Sequence, residues 1–263
     1  MKLGINRKHC KRSVMTFPYG SKEFGFREQV LEDTINPLKK HCDQLLDSRA
    51  IDDRGYRELF PFHNDGFDAA GIMAKLLYKY VRETVLKAAE AMEWMQGIAR
   101  LVASQGRPVR WTTPLGFPVC QNYRKYNMRT VKTRIFGKAL DLTIREEMEE
   151  MDIMRAGNAI SPNVTHSLDS SHLLKLVAQS VVEGLDSFAL IHDSFGTHAA
   201  DTDVFFRVIR EAFMRLYEEA VLENLREEFM AQLPPDIRGE VAPVPLSGSL
   251  DISSILNSLY AFA

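Results

Sequence analysis

A chain of 263 residues that is 45% hydrophobic can bury one large core or two smaller ones, so it need not be disordered. Its net charge of −2 gives no global attraction for polyanions, so any nucleic-acid binding must rest on local charge. Cys10, Cys42 and Cys120 are odd in number and far apart, with no Cys-x-x-Cys pair; this excludes a zinc knuckle and a disulfide framework and fits a reducing cytosol.

No apolar run reaches about 18 residues, so no transmembrane helix is predicted. No apolar signal core opens the chain, so no targeting segment is expected. The spacing predicts a helix over Gly4–Phe17 that Pro18 ends or kinks. Ser21–Leu46 continues with helical spacing, interrupted at Pro37, and residues 50–66 read as loop. One long helix is expected from Phe67 to Ala103. Residues 104–140 hold two or three strands, among them Arg107–Thr112 and Thr130–Phe136. Ile144–Met154 reads as helix, Gly157–Val164 as connector, and Ser170–Val182 as a helix capped by Ser167 or Asp169. Phe188–His192 is a short apolar strand running into a turn at Asp193, with a second short strand after it. One or two helices fill Asp201–Leu233, a Pro/Gly-rich loop covers 234–248, and a helix over Ile252–Leu259 closes the chain. The fold class is α+β and helix-rich.

Charge is unevenly placed. Residues 107–138 carry eight Lys or Arg and no acid, interleaved with Trp111, Tyr123 and Tyr126; residues 141–153 then turn acidic. This is either a phosphate-facing surface or a basic segment pairing with an acidic one. The first 22 residues hold six Lys or Arg and no acid. Within them Arg7 and Lys11 are four residues apart, about 400° of helix, so they share a face one turn apart. Two cations placed that way suit a triphosphate, and a solvated basic helix is the plain alternative. The alternative does not account for Tyr19-Gly20 at a fixed offset. Asp193 stands where a strand meets a turn, a position that suits a metal-binding carboxylate and equally an ordinary turn Asp.

The pattern Arg7, Lys11, Tyr19-Gly20 resembles the nucleotide-binding finger helix of the single-subunit, bacteriophage-type RNA polymerases, which include mitochondrial enzymes. Trp111–Val119 (WTTPLGFPV), Pro162–Leu173 (PNVTHSLDSSHL) and Phe188–His198 (FALIHDSFGTH) agree with that family in the same order, and the ending Ala261-Phe262-Ala263 is similar to its usual one. The resemblance implies a right-hand polymerase fold, with fingers over 1–165 and the C-terminal part of the palm over 166–263. It implies DNA-directed RNA synthesis with two Mg²⁺ ions, on a DNA template with RNA and rNTPs as partners and no membrane, in a host cytoplasm. It assigns Arg7, Lys11 and Arg12 to the triphosphate, with Lys11 placed to protonate the leaving pyrophosphate. Tyr19 and His166 go to the ribose 2′-hydroxyl side, and Gly20, Phe24 and Phe26 to the template. Asp193 goes to magnesium, with His192 as its support.

The family places a first palm aspartate well upstream of its Arg-Lys-Tyr helix, together with the N-terminal domain and thumb. Only six residues precede Arg7, so the chain alone is expected not to polymerise, and a partner carrying the missing portion is expected to complete it. Two rivals stand beside this reading. A family A DNA polymerase shares the Arg, Lys and aromatic helix, but its hairpin typically reads His-Asp-Glu where this chain has His192-Asp193-Ser194. A non-catalytic nucleic-acid-binding remnant is the other.

Overall fold

The computed structural model describes residues 5–191, 193–258 and 260–261. Packing divides the chain into two compact units, Met1–Met92 and Glu93–Ala263, with the boundary inside one helix, Leu86–Ser104.

In the first unit, α1 (Arg7–Thr16) begins at a reciprocal cap. The Lys8 N–H donates to Asn6 Oδ1 at 2.9 Å and the Asn6 N–H donates to His9 Nδ1 at 3.1 Å. The chain turns off the helix at Gly20. The Ser21 N–H donates to the Thr16 carbonyl at 3.2 Å, and the Gly20 N–H donates to the Phe17 carbonyl at 2.9 Å. These two bonds form a Schellman closure, whose left-handed position Gly20 fills with φ 86°. α2 (Glu23–Val30) then leads through a π-helical stretch, Leu31–Ile35, into α3 (Asn36–Asp47). Pro37 does not interrupt the helical run as expected. It sits in the first turn of α3, where a missing N–H costs little, and the wider π turn precedes its ring.

The expected loop over 50–66 contains α4 (Asp53–Leu59), started by Asp52, whose side chain accepts the Gly55 N–H at 2.8 Å. The expected single long helix is two, α5 (Phe67–Thr84) and α6 (Leu86–Ser104), parted at Val85 with φ −101° and ψ 50°. The core of this unit forms where Phe17 and Phe26, both fully buried, meet Tyr78 edge-on, each at 5.7 Å between ring centroids. Ala74, Val81, Ala89 and Met92 complete it.

The second unit opens with the hairpin of β1 (Val109–Thr112) and β2 (Pro118–Gln121). A longer ribbon follows, β3 (Arg124–Ile135) against β4 (Lys138–Met151). Its two-residue turn places Phe136 at φ 52° and Gly137 at φ 78°, the paired positive φ of a twist-matched hairpin turn. The expected helix over Ile144–Met154 is therefore mostly strand. Leu140, Leu142 and Ile144 alternate with polar residues, a period of two that outweighs the helix propensity of the glutamates after them.

α7 (Ile153–Val182) runs straight through the expected connector, with Pro162 inside it. Its N-cap is Asp152, which accepts the Arg155 N–H at 2.9 Å, so Ser167 and Asp169 are mid-helix rather than caps. Burial overrides the local breakers. Ile160 and Val164 enter a core with Trp94, Ile98 and Val102 of α6 and Trp111 of β1. Gly157 is explained by the same packing: a Cβ there would lie 2.6 Å from Cγ and Nε of Arg100.

The short hairpin β5 (Ala189–Ile191) and β6 (Ser194–Gly196) matches expectation, and so does the helix pair α8 (Thr202–Tyr217) and α9 (Val221–Gln232). The expected closing helix is a 3-10 turn over Ile252–Asn257. Arg210, 1% exposed, ties that segment down by donating from Nε and Nη2 to the Ser258 carbonyl at 3.3 and 3.0 Å.

Gly157→Ala distinguishes propensity from packing. Helix propensity alone favours alanine by about 1 kcal/mol. The clash with Arg100 reverses the sign, and urea unfolding should show a net loss of about 1–3 kcal/mol. Arg100→Ala in the same background should remove most of that loss.

Candidate functional site

The site candidates fall into both units. In the first, α1 presents Arg7, Lys8 and Lys11 to solvent, and among the described residues neither Arg7 nor Lys11 is held in an ion pair. No acid occupies the first turn of α1. Two cations at a helix N-terminus oppose the macrodipole, so this end gathers positive charge that the fold itself does not neutralise. Lys8, Lys11 and Arg12 line one surface pocket of about 380 Å³ with Glu32 and Asp33 on its other side. Lys8 was not singled out by the sequence reading; its spacing of three from Lys11 is the signal that would have found it.

Arg12 differs from its neighbours. Its Nη1 donates to Glu32 Oε2 and to Asp33 Oδ1, both at 2.9 Å. These contacts, the Glu32 hydrogen bond first, raise the guanidinium above its ordinary value. The π segment carrying both acids is thus what holds the side of α1.

Tyr19 is 39% exposed, set at that point by the Gly20 closure and by Phe17 buried two residues before it. The two phenylalanines assigned to the template part company. Phe24 is 66% exposed, with the Arg27 guanidinium 4.6 Å from its ring centroid. Arg27 also lies 4.3 Å from the Phe67 ring, so it is sandwiched and orients Phe24. Phe26 is a fully buried core residue and has no surface to offer a base.

In the second unit, Asp193 occupies the two-residue turn joining Ile191 to Ser194. A strand end leaves a carboxylate out in solvent at such a turn, beyond the ladder. His192, its expected support, lies outside the described residues, as do Phe262 and Ala263. α7 carries His166, Asp169 and His172 at successive steps of three. His166 is exposed. The Asp169 carboxyl is pushed up chiefly by burial; His166 and His172 pull it back, and Asp193 adds an upward push. Asp169 and Asp193 are therefore within electrostatic reach of each other.

His172 is the buried member of the row. Its Nε2 lies 3.0 Å from the Ile209 carbonyl of α8. A carbonyl accepts only, so Nε2 carries the proton. Phe195 of β6 and Phe213 of α8 meet the imidazole edge-on at 5.5 and 5.4 Å. Burial holds His172 below its ordinary value, against the raising effects of the Ile209 bond and Asp169. The sequence places it only inside the expected helix Ser170–Val182; the fold makes it the pin under the hairpin that carries Asp193.

Among the described residues, no group of three or more His, Cys, Asp or Glu converges as a metal cage. Magnesium asks for hard oxygen donors and commonly takes one or two carboxylates, with water and substrate phosphate as the remaining ligands. Asp193 fits that requirement in kind, and a second carboxylate from elsewhere would be needed to fix two ions. No helix among the described residues is long and apolar enough to cross a membrane.

The family model for DNA-dependent RNA polymerase matches residues 1–242. The chain is 40% identical to T7 RNA polymerase of Escherichia phage T7, over 99% of this chain and 29% of that protein. It is 39% identical to the DNA-directed RNA polymerase of Enterobacteria phage K11, over 100% of this chain and 29% of that one. It is 35% identical to the mitochondrial DNA-directed RNA polymerase 1 of Nicotiana sylvestris, over 98% and 23%. The chain thus spans less than a third of the length of these relatives.

The buried His172 makes stability depend on pH. Its folded value is below the unfolded value of 6.5, so the unfolded chain takes the proton more readily. The stabilisation is fully present above pH 6.5 and is lost as pH falls from there towards the folded value. Between pH 7.5 and 5.5, urea unfolding should show a loss of up to about 1.4 kcal/mol per pH unit below 6.5. His172→Gln should lose distinctly less over the same interval.

Proposed function

We propose, for a chain that belongs to the DNA-dependent RNA polymerase family, that it carries out part of template-directed nucleotidyl transfer from rNTPs to an RNA 3′-hydroxyl. The observation that carries this is α1. Arg7 and Lys8 stand at a helix N-terminus where they oppose the macrodipole, Lys11 follows one turn on, and the same helix ends by presenting Tyr19 on a glycine closure. A fold optimised for stability alone would put acids there. A triphosphate supplies the missing negative charge.

In this reading Arg7 and Lys11 bind the triphosphate along its length, and Lys11 delivers a proton to the departing pyrophosphate oxygen. The Tyr19 ring closes the sugar pocket while its hydroxyl reads the ribose 2′ side, with His166 assigned to the same group. Gly20 allows close approach of the template base, and exposed Phe24 offers it a stacking face. Phe26 acts from below, fixing the start of α2. Arg12 contributes to phosphate only by leaving its two carboxylates, so its principal task is holding α1. Asp193 would hold magnesium, and a bound ion would stabilise the attacking and leaving oxygens of the transfer. We assign residues 1–165 to the fingers and 166–263 to the C-terminal part of the palm, a functional division distinct from the packing boundary. DNA template, RNA transcript and the remainder of the polymerase are the proposed partners, with a host cytoplasm as the setting.

Three outcomes test the proposal. Asp193→Asn should abolish single-nucleotide extension on a primed template in an assembly that supplies the rest of the polymerase; near-normal extension would remove the metal-ligand role. Tyr19→Phe should lower the rNTP-over-dNTP preference by roughly 3–10-fold, the worth of one hydrogen bond, with little change in extension rate. An unchanged ratio excludes Tyr19 from sugar selection. The chain by itself should extend no primer with magnesium and rNTPs, and should gain activity when the remaining portion is added in trans. Robust extension without that addition would show that the second carboxylate lies within these residues.

A further inference from the structure

Two phenylalanines of the first unit stand at the surface on either side of one arginine. Phe24 of α2 is 66% exposed, and Phe67, the first residue of α5, is 42% exposed. The Arg27 guanidinium lies over both rings, 4.6 Å from the Phe24 centroid and 4.3 Å from that of Phe67. It covers one face of each ring, so the exposure that remains belongs to their outer faces and edges. The arrangement is fixed in place. Glu28 Oε1 accepts from Arg27 Nε at 3.3 Å and from Nη2 at 3.2 Å. Gly71 leaves the arginine stem room: a Cβ there would stand 4.0 Å from Arg27 Cδ, and a longer side chain would press on it. Gly66, at φ 80°, brings Phe67 in against the π segment, since a Cβ at that glycine would lie 2.4 Å from Ile35 Cγ2. Burial does not account for the pair, because neither ring enters the core that Phe17 and Phe26 fill.

We propose that Phe67 is a base-stacking residue for unpaired DNA, acting with Phe24 on the two sides of Arg27. The inference rests on the reading of Phe24 as a template-facing ring and extends it to a second ring on a second helix. Every nucleobase has a π face, and exposed aromatic rings interleaved with a cation hold single strands without regard to sequence. With the guanidinium between them, the rings offer two outward faces. The bases they take are therefore not neighbours, and the strand passes round Arg27 from one to the other. Arg27 can meet the phosphate that this brings. Its bonds to Glu28 use Nε and Nη2, and among the described residues no acid is paired with Nη1.

Substituting the ring itself supplies the probe. Trp94 and Trp111 are buried, at 7% and 2% exposure, so Phe67→Trp gives the chain its one surface indole. The full chain with that substitution is titrated with a single strand of about 12 thymidine nucleotides, and with an abasic strand of equal length. The thymidine strand should quench the indole emission. The abasic strand should not, because it carries phosphates but nothing to stack. Phe67→Leu keeps an apolar side chain and removes the π face. It should weaken binding of the thymidine strand by roughly 5-fold or more, the worth of one stacked base, with the unfolding midpoint unchanged. Absence of binding by the unaltered chain overturns the inference. So does an unquenched indole, equal quenching by both strands, or unaltered binding by Phe67→Leu. Phe24→Leu separates the inference from the reading beneath it. Loss of binding in Phe67→Leu but not in Phe24→Leu keeps Phe67 and removes the template role of Phe24. The reverse result removes Phe67 and leaves Phe24. None of these readouts depends on polymerase activity.

Discussion

The meeting of α7 and α8 turns on a hydrogen bond from His172 Nε2 to the Ile209 carbonyl. A buried imidazole is tolerable only when its donor is satisfied, and a main-chain carbonyl inside α8 is the partner that satisfies it. The bond fixes where α7 and α8 meet. The two aromatic edges against the ring then set β6 on the same point through Phe195. Leu176 of α7, Phe205 and Val208 of α8, and Phe188 of the approach to β5 fill the space around it. Asp193 therefore stands on a turn of only two residues, anchored from beneath by a neutral histidine. The short strands would not hold a position alone; a three-residue hairpin borrows its rigidity from the helices it lies on.

The first unit shows the opposite economy. Its core is conventional, with Phe17 and Phe26 packed on Tyr78, but its surface helix is arranged against its own stability. Cations crowd the N-terminus of α1, and the reciprocal cap of Asn6 and His9 offsets part of the cost. The pair of bonds from Arg12 to Glu32 and Asp33 does the rest from the side, although exposed pairs of this kind contribute little energy and act mainly in placing the helix. Local rules broken at one element and compensated next to it are the usual mark of a working surface.

The charge blocks of residues 107–153 are neither basic loop nor acidic helix. The basic and acidic blocks are the two strands of one ribbon, and they pair across it: Lys125 with Glu150 at 2.5 Å and Arg124 with Glu147 at 3.5 Å. Those pairs gather at the base, where the ribbon joins the core. Further out, Ile135, Leu140, Leu142 and Ile144 lie exposed on one side of the ribbon.

The sequence by itself determined the signatures that depend on neighbours in the chain. The helix bearing Arg7 and Lys11, its end near Pro18 and the strand–turn–strand around Asp193 could all be read because capping and turn chemistry act over a few residues. Tertiary structure decided what local signals contradict. α7 continues across Gly157 and Pro162 because Ile160 and Val164 are buried on one side and Arg100 fills the space that a Cβ would take. β4 is a strand because β3 lies beside it, despite a glutamate-rich run that favours helix on propensity alone. Phe24 and Phe26 look alike in the chain; only packing sends one ring to solvent and the other into the core. His172 reads in sequence as one more position of an expected helix; the carbonyl of Ile209, 37 positions away and 3.0 Å from its ring, is what sets it apart. Burial is a property of the whole fold, and no window of sequence carries it.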